Sequence, residues 1–573
     1  MRRLFKRVYI GIILIFFMLI SIYLCCLSYL QTCYNSIQYQ KEMSFYLEDN
    51  LALNLLFSFI FILLIFIISK TKLLNKINED INDGHSLYDL IKFILVLMLL
   101  IVGIYWVYGT QILPEGDQYL VISAVEGFKN GNYKLFESGE YMEMFPHQIG
   151  LFIFYYLLSF VAGDNLYLVI QIINVITVII IYLTLADIAK INGSSNMVAL
   201  IIIASAFFFP ILLIYSYYIY GNIPGMAFGL LAIKHELLYF KEYQFNNAIV
   251  SAFFIAISLM LKPFSLIYLI AMAIYALFKT LHIKEMKGLL IILLLIISFV
   301  LQSFIPKVFV ENKIGHKLDQ GSSFYAHIAM GMQDNERGPG WHNKYNVNSY
   351  HESGNNKEIQ KEMDLNSIEK RLEEFKSNHE TLLSFYSRKL ASEWNNPSFE
   401  MFYGIDYDYG YGFQYRFAKR DSLSQSFEKF LSLDNQYDLQ ILLNIEQSLL
   451  LLGTILYIIS AYLNKNQTME ELLLPLVFIG GFLFLLIWET KSQYALYFYI
   501  VIMLYGILGY QELYHYFLKP HAFEKCSIIL LILFLTVSMI AFKVSFKPYL
   551  ISDNEVYKEY ISYGNSYEWF EDK

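Results

Sequence analysis

Residues 110–147 read TQILPEGDQYLVISAVEGFKNGNYKLFESGEYMEMFPH, and the fold turns on what this stretch lies between. One apolar run ends at Gly109 and another begins at Ile149. Between them stand two carboxylates one residue apart, Glu115 and Asp117. Apolar side chains then recur at helical spacing: Leu120, Val121, Ala124, Val125 and Phe128. Asn130-Gly131-Asn132-Tyr133 makes a turn, and Pro146-His147 leads into the next run. The pattern predicts a short amphipathic helix lying on a bilayer surface, with the carboxylates where a span meets water.

The composition around the stretch agrees. The chain has 573 residues, 57% hydrophobic and 16% charged, where a soluble protein carries about 25% charged residues. Runs of roughly 17–23 apolar residues match the thickness of a bilayer core. The expected fold is therefore an all-α polytopic membrane protein of about 12 transmembrane segments, with one large extracytoplasmic loop domain. Aromatic residues make up 17%, with many tyrosines at span ends, as interfacial belts require. The net charge of −8 and the lack of a basic stripe argue against a nucleic-acid partner. Cys25, Cys26, Cys33 and Cys526 have neither metal-ligand nor disulfide-framework spacing. The basic start, Met1 to Arg7, precedes an apolar run too long for a signal-peptide core and without a small-residue cleavage site. It reads as an uncleaved first span in a cell membrane, with the N-terminus cytoplasmic.

The chain divides into five parts. Residues 1–89 hold two N-terminal spans, 8–30 and 51–69, and a cytoplasmic loop. Residues 90–305 form a transmembrane core, with 110–147 as its first external loop. Residues 306–440 make the large extracytoplasmic domain, expected to be mostly helix and loop. Spans return over 441–543, and 544–573 is an acidic external tail. Within the core, apolar segments fall at 90–109, 149–162, 166–186, 197–215, 224–240, 248–261, 265–278 and 288–305. Later ones fall at 441–463, 472–488, 495–510 and 527–542. Lys234, Lys241, Lys279, Lys284 and Lys287 mark cytoplasmic loops, which puts Tyr220-Gly221-Asn222 and Lys262-Pro263 outside. One count conflicts. Between His147 outside and Lys190 inside an odd number of crossings is required, yet two apolar segments intervene. Either the short first one is re-entrant, or Lys190 is outside and another segment is irregular.

Several groups could carry chemistry. Glu115 and Asp117 can point into one pocket, as a general base on an acceptor hydroxyl or as ligands of a divalent cation, Mg or Mn; the bland alternative is a solvated turn. Lys262 lies midway through a long apolar stretch, LMLKPFSLIYL. It can neutralise a lipid-linked phosphate or simply snorkel to the interface. In the short outer loop Glu489 to Tyr494, Lys491 can assist a leaving phosphate and Tyr494 can line a lipid groove; a plain hydrophilic hairpin weighs equally. His147 can bond substrate or sit at the interface, and Tyr141 and Glu143 are read in the same way. In the large loop, Arg337 can grip phosphate bidentately and Trp341 can stack on a sugar, on a loop shaped by Gly338-Pro339-Gly340; the alternative is a turn that caps the domain. No Walker loop, Rossmann fingerprint or Ser-His-Asp order is present, so an outward-facing site needs a donor already activated in the membrane.

The order of external loop, acidic pair, amphipathic helix, Gly-Asn-Tyr turn and next span resembles the first external loop of GT-C glycosyltransferases. That superfamily includes the protein O-mannosyltransferases and the lipid A aminoarabinose transferases. Glu115-x-Asp117 matches the Glu-x-Asp form of their acidic motif, and the resemblance in layout covers about residues 90–305. Two spans ahead of the core and the surplus segment depart from the simplest family layout. The resemblance implies a glycosyltransferase. Its donor would be a polyprenyl-phosphate-linked sugar, and its acceptor a cell-envelope glycan, a teichoic acid or a protein. Asp117 would be the base, with Glu115 supporting it or holding a metal. Lys262, Lys491 and Arg337 would offset charge on the departing phosphate. Rival classes are a transporter or flippase of lipid-linked sugars, an envelope polysaccharide polymerase or ligase, and a scaffold without catalysis.

Overall fold

The computed structural model describes residues 2–38, 41–71, 85–110, 112–283, 286–318, 321–401, 433–465, 467–518, 536–545 and 552–556, with the single positions 77, 79, 81, 427, 430 and 549. The architecture is α-helical. Helix α1 (Arg2–Leu30) leads into an antiparallel hairpin, β1 (Gln31–Gln38) and β2 (Lys41–Glu48), in which Gln31 faces Glu48. The hairpin is absent from the sequence reading. Helices α2 (Leu51–Thr71) and α3 (His85–Thr110) follow. Next come α4 (Asp117–Lys129), α5 (Ile149–Ala162), α6 (Leu166–Ile191) and α7 (Asn196–Ala204). The core continues through α8 (Asn222–Glu242), α9 (Phe245–Leu261), α10 (Ser265–Ile283) and α11 (Lys287–Ile314).

Among the described residues, eight helices are long and apolar enough to cross a membrane, or up to nine if the bent pair Asn196–Phe207 and Ile211–Tyr217 is one span. The expected twelve or so shrink for physical reasons. Helix α9 has 17 residues, about 26 Å at 1.5 Å per residue, short of a core of about 30 Å. Helix α8 is packed between α6, α9, α10 and the last long helix, and carries Lys234, His235 and Glu236. The segment 527–542 lies mostly outside the described residues.

The crossing conflict resolves at α5. Its first turn follows Gln148, which bonds Tyr220. Near its other end the Ser159 carbonyl accepts from Lys129 Nζ at 3.4 Å, and Lys129 also sits 5.5 Å from the Phe160 ring. Both ends of α5 thus meet elements of the same end of the bundle. The helix has only 14 residues, and Leu157, Phe160 and Val161 face outward at 61, 63 and 87% exposure. It lies along the bundle's rim beside α4, fastened by Phe128 against Phe136, Phe152 and Tyr156. Helix α6, with 26 residues, is the one of the two that is long enough to cross a bilayer core.

Between α7 and α8 the chain abandons regular helix. Pro210 has no N–H to give, a one-turn helix covers Ile211–Ile214, and the bend is 53°. Irregular backbone inside a bundle needs internal partners, and neighbouring side chains supply them. Asn174 Nδ2 donates to the Ser216 and Tyr218 carbonyls, both at 3.0 Å. Gln171 Nε2 donates to Ile112 and Tyr217 at 2.7 and 3.2 Å. Trp106 Nε1 donates to Ile214 at 2.9 Å, and the Ile219 N–H to Gln118 Oε1 at 2.8 Å.

Helix α11 continues past Pro306 and ends at Ile314, capped by Gly315. The loop region therefore begins some ten residues later than the expected boundary at 306. Among its described residues are the helices α12 (Phe324–Gly331), α13 (Tyr345–Glu352), α14 (Lys357–Ser377) and α15 (His379–Trp394). The bundle closes with α16 (Leu433–Asn464), α17 (Leu473–Leu485) and α18 (Ser492–Leu518). Residues near 553 return to the hairpin: Tyr46 N–H donates to Asp553 Oδ2 at 2.9 Å, and Asp553 N–H to the Tyr46 carbonyl at 2.7 Å.

Candidate functional site

Asp117 opens α4, after Gly116 at φ 51°. The carboxylate accepts from the Tyr220 hydroxyl at 3.1 Å. Tyr220 is itself held by Gln148 Nε2 at 2.7 Å and by the Tyr141 hydroxyl at 3.0 Å. With the Tyr220 proton directed at Asp117, Tyr141 donates to Tyr220. Asp117 remains solvent-exposed although protein mass surrounds it, which places it on the wall of a concavity. That crowding pushes its carboxyl above the usual carboxylate range, against the opposing pull of Tyr220, Lys491 and Lys262.

Lys262 stands across from it. It caps the end of α9 in extended conformation (φ −149°), in the break before α10. Its residue is 5% exposed, and Nζ is ringed by Tyr220, Phe264 and Tyr494 at 4.4, 5.2 and 5.7 Å from the ring centres. Among the described residues no carboxylate lies within ion-pair distance of it, although Asp117 and Glu489 act on it from farther off. Burial lowers its ammonium to about 7. Gly221 makes this approach possible: at φ 75°, any Cβ there would stand 2.1 Å from the Leu261 carbonyl.

Lys491 completes the wall. It is 6% exposed, and its Nζ lies 5.3 Å from the ring of Trp341, itself fully buried. Tyr494 packs on Phe264 at 4.8 Å and donates to Glu489 Oε2 at 3.4 Å. His147 is exposed on the same wall, within electrostatic reach of Lys262 and 5.9 Å from the Phe145 ring. The structure thus brings Asp117, Lys262, Lys491, His147, Trp341 and Tyr494 to one end of the bundle.

The remaining predicted residues have other roles. Glu115 offers its backbone carbonyl to Gln118 N–H at 3.0 Å. Arg337 donates to the His342 carbonyl at 3.2 Å and its N–H to Asn335 Oδ1 at 2.9 Å, so it shapes the turn that carries Trp341. Glu143 is a structural pin: it accepts from Gly139 N–H, Gly321 N–H and the Tyr350 hydroxyl at 3.0, 3.3 and 2.9 Å. Among the described residues no group of three or more His, Cys, Asp or Glu side chains could hold a metal ion. The Glu115–Asp117 pair fits a divalent cation poorly, because Asp117 faces two lysines and accepts from Tyr220. Sequence reading missed Tyr220 and Gln148 as groups that set Asp117.

At the opposite end a cavity of about 520 Å³ is lined by Lys6, Asn192, Lys241, Lys279, His282 and Glu470, with Lys279 and Glu470 paired. Comparison with protein-family models, with curated proteins and with solved structures finds no match for this chain.

Proposed function

We propose that the chain is a GT-C-like membrane glycosyltransferase that moves a sugar from a polyprenyl-phosphate donor to a hydroxyl on an envelope glycan, teichoic acid or protein. One observation carries the reading: an exposed carboxylate, Asp117, lies within electrostatic reach of two largely buried ammonium groups, Lys262 and Lys491. A carboxyl with a raised pKa is a stronger base than an ordinary one. In the proposed step Asp117 takes the proton of the acceptor hydroxyl. The hydroxyl oxygen bonds to the anomeric carbon, the carbon–oxygen bond to phosphate breaks, and the configuration inverts. Lys262 and Lys491 hold the charge that collects on the departing lipid phosphate. His147 borders the space where the sugar would sit, whereas Trp341, fully buried, backs Lys491 and offers no face on which a sugar could stack.

The test is sugar transfer by purified protein, given a panel of polyprenyl-phosphate hexoses with membrane extract as acceptor. Asp117→Asn should lower transfer by about 10³-fold while leaving the thermal midpoint near that of the wild type; transfer undiminished in that variant would refute the assignment.

A second reading, a transporter or flippase of lipid-linked sugars, draws on Glu236. This residue is 0% exposed within the bundle, and both its carboxyl oxygens lack hydrogen-bond partners; an ionisable group inside a membrane bundle is rare and marks candidate transport routes. Movement of labelled lipid between leaflets with no donor consumed would favour it.

A further inference from the structure

The turn that presents Lys491 has no regular structure of its own: Leu486 caps α17, and α18 starts at Ser492. One side chain on the loop region ties it to a second backbone segment. Lys389, on α15, is 0% exposed. Its ammonium donates to the Gly331 carbonyl at 2.6 Å, at the end of α12, and to the carbonyl of Trp488 in the turn itself. Around it three backbone segments meet with no room for side chains. A Cβ on Gly331 would stand 2.4 Å from the Trp488 oxygen, and one on Gly340 would stand 2.5 Å from Thr490 Oγ1 and 2.8 Å from Lys389 Nζ. Thr490 N–H donates to the Gly340 carbonyl and its hydroxyl to the Pro339 carbonyl, both at 2.8 Å. Beyond Lys491, Ser492 N–H and hydroxyl both donate to Glu400 Oε1 at 3.0 Å.

Two carbonyls converging on one buried ammonium form a charge-assisted tie in a poorly screened setting. We infer that Lys389 is a positioning residue: it fixes the Trp488–Lys491 turn against Gly331 and Gly340, and thereby sets where the Lys491 ammonium stands beside Trp341. A catalytic or phosphate-binding group displaced by about 1 Å can lose about 10²-fold in effect, so the tie governs the site without touching ligand. The functional part of this inference rests on the phosphate role given to Lys491 above; the structural part does not.

Two measurements keep the parts separate. The first is the rate at which acetic anhydride acetylates Lys491 in the full chain in detergent, read by mass spectrometry against exposed Lys241. In the wild type Lys491 should react slowly. Lys389→Met should raise its rate at least tenfold, and Thr490→Val, which removes one hydroxyl bond, should raise it severalfold. An unchanged ratio in both variants would overturn the inference whatever the protein binds. The second is binding of undecaprenyl phosphate. Lys491→Met should weaken it about tenfold, Lys389→Met by a similar factor, and the double variant no further than Lys491→Met alone. Additive losses would overturn the proposed route through Lys491. Faster acetylation in Lys389→Met, with no lipid-phosphate binding by the wild type, would keep the tie and refute the phosphate reading of the site.

Discussion

Asp117 and Lys262 have opposite needs as pH changes. Asp117 must lose its proton to act as a base, and the protein crowded around it raises the pH at which it does so. Lys262 must keep its proton to hold phosphate, and burial brings its loss down to about pH 7. Transfer should therefore follow a bell, with the acid limb above the ordinary carboxylate range and the basic limb near neutrality. Lys262→Arg should carry the basic limb upward, because guanidinium keeps its proton; a basic limb that stays in place would remove Lys262 from the phosphate role. The same lysine burdens the fold. Its folded pKa is depressed from 10.5, so the unfolded chain binds more protons between about pH 7 and 10.5, and stability rises across that window. Lys262→Met should melt about 2–4 °C higher than the wild type at pH 6, and the gap should close by pH 10. Lys262 was legible in the sequence because a lysine in a long apolar stretch is conspicuous. Tyr220 was not, since one tyrosine among 48 carries no local mark; only the turn at Gly221 turns it toward Asp117.

At the scale of elements, the site is held by irregular backbone between α7 and α8, and the amides of α6 make that irregularity tolerable. Asn174→Leu removes the donor for two buried carbonyls, Ser216 and Tyr218. It should cost about 1–3 kcal/mol of stability and depress any Asp117-dependent activity as Tyr220 shifts. A variant as stable as the wild type would show that those carbonyls find other partners. The long helices were legible because apolar runs of bilayer length admit few other structures. The short α5 was misleading for the same reason: its 14 residues are as apolar as a span. Its place on the rim follows from length and from Phe128 and Lys129 of α4, which no local pattern reveals. The β1–β2 hairpin was invisible because its residues, QTCYNSIQ and KEMSFYLE, alternate weakly.

Over the whole molecule, the arrangement sorts charges by end. Asp117, Lys262 and Lys491 gather at one end, and Lys6, Lys241, Lys279 and Glu470 line the cavity at the other. Residues 130 and 241 should thus lie on opposite faces of a membrane. Cys25, Cys26 and Cys33 are buried, so with Cys526 replaced, Asn130→Cys and Lys241→Cys can be read with a membrane-impermeant maleimide. Each should label from one side only, and from opposite sides; labelling from the same side would overturn the odd number of passes that α6, the bent pair and α8 make between them.

The return of Asp553 to Tyr46 bears on how such a chain is made. The two partners are separated by 507 positions. A ribosome adding about 5–20 residues per second delivers the hairpin roughly half a minute or more before the segment that fastens it. Through that interval the edge of β2 waits with its Tyr46 amide open, while Lys262 and then Lys491 are inserted behind it. The last-made hydrogen bonds therefore act as a seal, closing only on a polypeptide whose every wall has already been laid down.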